Sequence, residues 1–280
     1  MNRALTYALI LFVAACSQAV TPDGMSSKAD PTDKPKRIIS LDLCADQYVL
    51  KFAERENILA VSPEANLPIS YMRDAATGIQ TVRPLPENIL NLQPDLVVRT
   101  YGGGPNAAQF FERAGIPVLN VGWTATMDDV LAVVERMADG LGEAEKGVEL
   151  RSSLEKRLAA IKPSSEPKTA LYMTASGYTS GTGTFIDHIF QKAGLQDFVQ
   201  TAGWKSLPLE ELTIEQPDLV ALAYHENLDK GLETWSSTRN PIVTRMMKDK
   251  PTISLDGAIV SCSGWYLVDV IETLSKAANS

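Results

Sequence analysis

The pentapeptide Gln-Pro-Asp-Leu-Val occurs twice in this sequence, at residues 93–97 and again at residues 216–220. Each copy follows a Leu-Pro segment that leads into a glutamate, Glu87 in the first copy and Glu210 in the second. Pro ends a helix and presets the turn, Asp favours the turn, and Leu-Val begins a buried strand. The repeat therefore predicts two similar lobes, each with the same turn leading into a strand.

Short apolar runs alternate with helical patterns on both sides of the repeat. Strands are expected at residues 37–41, 58–61, 95–99, 117–121, 170–173, 218–222 and 252–255, and helices at 45–54, 106–114, 143–161, 185–193 and 264–277. Continuous apolar runs are typical of strands buried on both faces of a parallel sheet. The pattern predicts an α/β fold of two Rossmann-like lobes joined by a single long helix, with a ligand cleft between the lobes.

The first residues have the features of an export signal. Met1-Asn-Arg3 is basic, an apolar stretch follows, and Val13-Ala-Ala-Cys16 resembles a bacterial lipobox. This pattern predicts a signal peptide over 1–15 and lipidation of Cys16, with an ordinary cleaved signal as the alternative. Residues 16–36 are rich in Ser, Pro, Asp and Lys and are expected to form a flexible, lipid-anchored tether. The remaining boundaries are an N-terminal lobe at 37–124, a helical connector at 125–162 and a C-terminal lobe at 163–280.

The composition excludes several classes of function. The chain has 280 residues, with 26 Lys and Arg against 34 Asp and Glu, which gives a net charge of −8. An acidic chain without a basic run is a poor nucleic-acid binder, because phosphates need cationic partners. Three cysteines and two histidines are too few for a zinc-finger array.

Four motifs in their order along the chain carry a family resemblance. Arg37-Ile-Ile-Ser-Leu41, the repeated pentapeptide, Ala114-Gly-Ile-Pro-Val118 and Tyr178-Thr-Ser-Gly181 resemble the periplasmic solute-binding proteins of cobalamin and ferric-siderophore importers. The resemblance extends from Arg37 to the end and is closest to the cobalamin-binding members. It implies a periplasmic, monomeric carrier without catalysis, metal or intrinsic cofactor. Its ligand would be a cobalamin-like corrinoid or a ferric siderophore, delivered to an ABC permease and its ATPase subunits.

Aromatic side chains are the candidate ligand contacts, because a corrin has wide apolar faces fringed by amides. The resemblance aligns Tyr178 and Trp204 with aromatic residues of the family's cleft. Five more candidates lie near predicted strand ends or beside the last helix: Tyr101, Trp123, Tyr224, His225 and Trp265. Core packing is the alternative for each of them. Glu64 and Leu67 replace aromatic residues of the family, which leaves a siderophore, haem or a modified corrinoid open as ligands.

The resemblance also assigns a role to the two repeated glutamates. In the family, one surface glutamate on each lobe docks onto arginine pockets of the permease, and Glu87 and Glu210 occupy the matching positions. One acidic group on each lobe suits a two-fold symmetric permease. The alternative is a solvated glutamate that the helix dipole favours at the start of a helix.

Cys44 and Cys262 are both expected at helix N-termini lining the cleft. In an oxidising periplasm, two thiols that meet would form a disulfide, which is our hypothesis for this pair. Two thiolates that bind a soft metal, or two unrelated buried residues, are the alternatives.

Enzymatic functions have weaker support in the sequence. The glycine turn at 102–104 lacks both GxGxxG spacing and a P-loop lysine, and no Gly-x-Ser-x-Gly elbow accompanies His188. A chelatase-like enzyme acting on metal tetrapyrroles would need a cleft histidine beside a carboxylate, for which His225 and Glu226 are the local candidates. A signalling or scaffold lipoprotein is a third possibility.

Overall fold

Two parallel β-sheets organise the part of the chain that the structure describes. The structure is a computed structural model that describes residues 34–162, 164, 166–224 and 237–280. Within these residues the strands are β1 (Ile38–Ser40), β2 (Ile58–Ala60), β3 (Leu96–Arg99), β4 (Val118–Asn120), β5 (Thr169–Thr174), β6 (Tyr178–Ser180), β7 (Gln196–Asp197), β8 (Trp204–Ser206), β9 (Leu219–Tyr224) and β10 (Thr252–Asp256). The helices are α1 (Leu43–Phe52), α2 (Arg73–Ala76), α3 (Pro86–Asn91), α4 (Ala107–Arg113), α5 (Met127–Gly140), α6 (Ala144–Ala160), α7 (Phe185–Lys192), α8 (Glu211–Ile214), α9 (Pro241–Asp249), α10 (Gly257–Val260) and α11 (Leu267–Ala278). This alternation is the α/β class that the sequence predicts.

The repeated pentapeptide leads into an interior strand of each of the two sheets. The first sheet has the strand order β2-β1-β3-β4 and the second β10-β9-β5-β7, and all pairings within them are parallel. The two copies of the repeat lead into β3 and β9, which are interior strands of their sheets. A separate antiparallel pair, β6-β8, accompanies the second sheet. The predicted two-lobed architecture is therefore confirmed.

The aspartate of each repeat fastens its turn to the neighbouring strand. Asp95 accepts hydrogen bonds from the backbone N–H groups of Lys36 and Arg37, at 2.8 and 3.0 Å. Asp218 accepts bonds from the N–H and the hydroxyl of Thr169, at 2.8 and 3.1 Å. Each carboxylate satisfies donors at the start of β1 or β5, so the residue does more than favour a turn.

The first lobe includes three residues that were predicted to belong to the tether. Lys34 forms an ion pair with Glu143 at 2.9 Å, and the backbone N–H of Lys36 is bound by Asp95. These bonds attach residues 34–36 to the folded part, whereas the sequence predicts that it begins at Arg37. The polar composition of the segment conceals these contacts, because both partners lie far away in the chain.

Other predictions for the first part of the chain fall outside the described residues. They are the signal peptide at 1–15, the lipidation of Cys16 and the greater part of the tether, and they stay predictions. In the part of the chain that the structure describes, no helix combines the length and the apolar character needed to cross a membrane.

Helices α5 and α6 connect the lobes. One face of α5 is buried, and the helix packs against α1 of the first lobe and along α6. With 17 residues, α6 extends for about 26 Å at the usual rise per residue. Arg157 of α6 then pairs with Asp269 and Glu272 of α11 in the second lobe, at 2.5 and 2.8 Å. The predicted linking helix is thus α6, and a second helix precedes it.

Aromatic side chains from both lobes pack together beside this connection. Tyr48 and Phe52 of α1 contact Trp265 of the second lobe, with ring centroids 5.3 and 6.4 Å apart. Tyr71 stacks on Tyr266 at 4.0 Å. The largest hydrophobic core continues through this cluster from one lobe to the other. A shared core opposes large hinge closure, so we expect the lobes to keep nearly the same arrangement when a ligand binds.

Candidate functional site

A cavity of about 490 Å³, the cleft, opens between the two lobes. The first lobe lines it with Thr100 and Tyr101 after β3 and with residues 121–125 after β4. The second lobe contributes the start of α7, Trp204 on β8 and residues 260–263. Most of these segments follow the carboxyl end of a strand, where α/β folds usually bind their ligands.

Three of the aromatic residues predicted from the sequence line the cleft and face solvent. Tyr101, Trp123 and Trp204 are 54%, 90% and 59% exposed. Trp204 also packs edge-on against Tyr172, with 5.7 Å between the ring centroids. Exposed aromatic rings that gather at one cavity are typical of a surface that a ligand covers.

Tyr178 lies on the same small sheet as Trp204 but outside the cavity lining. On the β6-β8 ladder Tyr178 pairs with Ser206, and Ser180 pairs with Trp204. Residues two apart on a strand and residues directly opposite share a face of the sheet. Tyr178, which is half-exposed, therefore points to the same side as Trp204.

Two further predicted contacts, Trp265 and Tyr224, also lie outside the cleft. Trp265 is 6% exposed, and its ring packs against Tyr48 and Tyr266 at 5.3 and 5.1 Å, so its assignment as a ligand contact is wrong. The sequence shows an aromatic residue before the last helix but does not show that this residue faces the shared core. Tyr224 lines a separate cavity of about 210 Å³ with Thr238, so it is also not part of the cleft. His225 lies outside the described residues.

The cleft lining is uncharged as far as the structure describes it. None of its described residues is Asp, Glu, Lys, Arg or His. Its polar side chains carry hydroxyl groups: Thr100, Tyr101, Thr124, Thr184, Ser261 and Ser263. Such a surface can donate and accept hydrogen bonds but offers no counterion to a charged ligand.

Glu64 acts on the cleft through Tyr101. The Tyr101 hydroxyl donates to Glu64 Oε2 at 3.4 Å. Burial and the negative charge of Glu64 raise the pKa of Tyr101 well above its usual range. A phenol keeps its proton at neutral pH, and here the hydroxyl donates that proton to Glu64, which leaves the Tyr101 oxygen free to accept a hydrogen bond from a ligand. The sequence shows only that Glu64 replaces an aromatic residue of the family. It does not reveal the contact with Tyr101, because the two residues are distant in the chain.

A disulfide between Cys44 and Cys262 forms part of the cleft lining. The sulfur atoms are 2.02 Å apart and the Cα atoms 5.5 Å apart. Cys44 belongs to the first turn of α1, and Cys262 lies between α10 and α11, so the bond joins the two lobes. Bonded cysteines offer no thiolates to a soft metal. Within the described ranges, no group of three His, Cys, Asp or Glu side chains is placed to hold a metal ion.

The glycine turn at 102–104 is held by a buried carboxylate. Asp42, the N-cap residue immediately before α1, accepts the backbone N–H groups of Thr100, Tyr101 and Gly102. N–H groups bound in this way are not available to cradle a phosphate. Asp42 was not predicted as a site residue. Its signal in the sequence is an Asp directly after a buried strand and before a helix, which is the pattern of an N-cap.

Phe185 and Ile186, at the start of α7, also line the cleft and were not predicted. Thr184 precedes them and caps the helix by accepting the Asp187 N–H at 3.2 Å. Apolar residues in the first turn of an amphipathic helix usually pack in the core, so the sequence gives no separate sign of their exposure to the cleft.

A family model described as "Periplasmic binding protein" matches residues 38–250 of the chain. The match includes most of both lobes. The chain belongs to the periplasmic binding protein family.

This periplasmic binding protein is similar to proteins named for two kinds of tetrapyrrole ligand. It is 26% identical over 218 residues to a cobalamin-binding protein of Halobacterium salinarum, which covers 74% of this chain. The chain spans only 59% of the length of that relative. A heme-binding protein from Pseudomonas aeruginosa superposes with a TM-score of 0.67 at 20% identity, over 87% of this chain and 92% of the other. A vitamin B12 binding protein of Vibrio cholerae gives 0.61 at 18% identity, over 87% and 96%. At these identities the solved structures establish the common fold.

Glu87 and Glu210 of this periplasmic binding protein are both exposed on the surface. Glu87 lies in the first turn of α3, and Glu210 immediately precedes α8. Neither forms an ion pair with a residue that the structure describes. Close to them along the chain are Leu85 and Ile214, which are 47% and 89% exposed. Each lobe thus presents an unpaired carboxylate close in sequence to an exposed apolar side chain.

Proposed function

We propose that this protein is the periplasmic solute-binding component of an ABC import system and that its ligand is a corrinoid of the cobalamin type. The observation that carries the proposal is a cleft with exposed aromatic rings and, among its described residues, no charged side chain. A corrin has broad apolar faces, and in cobalamin its edge carries neutral amides. Aromatic walls with hydroxyl groups between them complement such a molecule.

Charge distinguishes a corrinoid from haem. Haem carries two carboxylates, and burying either of them without a cation would cost several kcal/mol. Glu64 adds a negative charge beside Tyr101, 3.4 Å from its hydroxyl, and repels a ligand carboxylate further. The Tyr101 oxygen, in contrast, can accept the N–H of a ligand amide. The charge pattern therefore favours the corrinoid.

The comparisons support a tetrapyrrole carrier and leave a second candidate. Similarity to a protein named for cobalamin binding favours the corrinoid. Similarity in fold to a heme-binding protein makes haem, or another iron chelate such as a ferric siderophore, the second candidate. All of these relatives are named as binding proteins, which favours a carrier over a chelatase-like enzyme.

Calorimetric titration of the purified protein with cyanocobalamin, hemin and a ferric siderophore tests this proposal. We expect cyanocobalamin to bind with a Kd of about 1 μM or tighter and hemin to bind at least about 100-fold more weakly. The absorbance spectrum of the released ligand should be unchanged, as required of a carrier. Tight hemin binding without any corrinoid binding would favour the second candidate, and conversion of the ligand would indicate an enzyme.

The exposed glutamates are the proposed contacts with the permease. We expect Glu87→Lys with Glu210→Lys to leave ligand affinity unchanged and to abolish stimulation of the transporter's ATPase, because two carboxylates would be replaced by repelling cations. Glu112→Lys with Glu149→Lys is a matched control, because both residues are exposed and unpaired among the described residues but lie on α4 and α6. ATPase activity of the reconstituted transporter measures the effect. Full stimulation by the first double variant would refute the docking role.

A further inference from the structure

The carboxylate of Asp42 binds four backbone N–H groups next to the cleft. Asp42 is 1% exposed. Its Oδ2 accepts the N–H groups of Thr100, Tyr101 and Gly102 at 2.6, 3.0 and 2.8 Å. Its Oδ1 accepts the N–H of Ala45 at 3.0 Å and so caps α1. One buried side chain therefore joins the start of α1 to the turn after β3 with charge-assisted hydrogen bonds.

Two backbone carbonyl groups of the turn are also hydrogen-bonded. Arg99 is 9% exposed and donates to the carbonyl oxygens of Gly102 and Gly104, at 2.9 and 3.0 Å. Gly102 approaches the β1 end so closely that a Cβ atom would lie 2.4 Å from the Leu41 carbonyl oxygen. With N–H groups bound by a carboxylate and carbonyls bound by a guanidinium, the backbone of Tyr101 has little freedom to move.

Tyr101 is the residue that this turn presents to the cleft. Its ring lines the cavity, and its hydroxyl donates to Glu64. Glu64 in turn accepts the backbone N–H of Leu43 at 3.2 Å, which fixes the carboxylate to the start of α1. The phenol is thus held at its backbone and at its hydroxyl before a ligand arrives. A contact that is already ordered raises affinity, because binding does not have to order it.

We propose that Asp42 is a positioning residue for ligand binding and that it acts through Tyr101. The inference rests on the proposed function, since it gives Asp42 a share in the affinity of the cleft. Asp42 does not itself line the cleft, so its effect on a ligand is indirect. It also caps α1, and a test must separate this structural role from positioning.

The substitution Asp42→Asn removes part of the hydrogen bonding between this side chain and the backbone, with little change in side-chain size. A carboxylate offers about four acceptor sites, whereas an amide oxygen offers about two. If the amide oxygen faces the turn, the amide NH₂ faces the N–H of Ala45; if it faces α1, the NH₂ faces three N–H groups of the turn. In both cases at least one buried N–H loses its acceptor, and the structure around it shifts.

Titration of cyanocobalamin into Asp42→Asn, Tyr101→Ala and the double variant tests the inference. We expect each single variant to weaken binding about tenfold, which is 1.4 kcal/mol. The double variant should bind no more weakly than Tyr101→Ala alone, because Asp42 acts through that ring. A purely structural role would lower the urea midpoint of unfolding without this coupling. Wild-type affinity of Asp42→Asn, or additive losses in the double variant, would overturn the proposal.

Asp197→Asn is the matched control for this series. Asp197 is buried like Asp42, but it lies on β7 of the second sheet, and its carboxylate accepts the N–H of Val199 at 2.8 Å rather than those of the turn. The amide oxygen of asparagine can still accept this N–H, so the substitution is a mild change. We expect this variant to bind cyanocobalamin like the wild type.

Two further measurements keep the inference testable if Asp42→Asn does not fold. Gly102→Ala displaces the same turn through its contact with Leu41 and leaves the Asp42 carboxylate in place, and the same coupling to Tyr101 is expected. Hydrogen exchange of the wild type without ligand should show core-like protection for the N–H groups of Thr100, Tyr101 and Gly102. Rapid exchange there would refute the positioning role. Failure of the wild type to bind cyanocobalamin would refute the proposed function instead.

Discussion

Replacing Cys44 and Cys262 together by Ser is expected to lower the free energy of unfolding by about 3–5 kcal/mol. The disulfide spans 218 residues of sequence, and closing so long a loop restricts the unfolded chain more than a short one would. Cys262 is also buried, so a Ser hydroxyl at this position would need a hydrogen-bond partner, whereas the disulfide sulfur needs none. Urea unfolding of the wild type and the double variant measures the difference.

Because Cys44 and Cys262 are bonded to each other, the losses of stability in their single and double variants should not add. Cys44→Ser should lose nearly the same stability as the wild type loses in a thiol reductant, and the reductant should not affect the variant. Cys262→Ser and the double variant should lose slightly more, because a hydroxyl at this buried position needs a hydrogen-bond partner. We expect the reduced protein to stay folded, since Tyr48 and Trp265 still join the lobes. Two small additive losses together with no effect of the reductant would show that the cysteines are independent.

Replacing Trp123 and Trp204 together by Ala is expected to weaken corrinoid binding by about 100-fold or more. Trp123 is 90% exposed, so the unliganded protein gains little from its ring, whereas a ligand that covers it removes a large apolar surface from water. Trp204 behaves similarly but also contacts Tyr172, and its loss should cause a small decrease in stability. Calorimetry is the appropriate measurement, because the variants lack fluorophores of the wild type.

Trp265→Phe is the control for this experiment, since the residue is also a tryptophan but lies in the shared core. It should lower the free energy of unfolding by about 1–3 kcal/mol and leave the affinity unchanged. The opposite outcome, with wild-type affinity in the Trp123 and Trp204 double variant, would mean that the exposed indoles do not contact the ligand.

The sequence predicts most of the fold because its signals are local. The two pentapeptides place β3 and β9, and continuous apolar runs identify the buried parallel strands around them. The position of Tyr101 and Trp123 beside the cleft follows from the sequence for the same reason, since residues that follow the strands of a parallel sheet gather at one edge.

The errors concern properties that depend on distant partners. An aromatic residue beside the last helix can face the cleft or the core. Trp265 faces the core because it packs against Tyr48 of α1, and the sequence does not show that these two residues are in contact. Asp42 and Glu64 act on Tyr101 from other segments of the chain, at sequence separations of 59 and 37 residues. Their roles appear only when these segments are brought together.

We expect the uncharged aromatic cleft to select its ligand by the neutral edge of the corrin. Cobinamide and cobyrinic acid test it most directly, because both contain a cobalt corrin but the first carries amides where the second carries carboxylates. Calorimetry of the wild type should give a Kd for cobinamide at least about 100-fold lower than for cobyrinic acid, since the cleft offers no described counterion. Equal affinity, or tighter binding of the carboxylated corrin, would contradict the account.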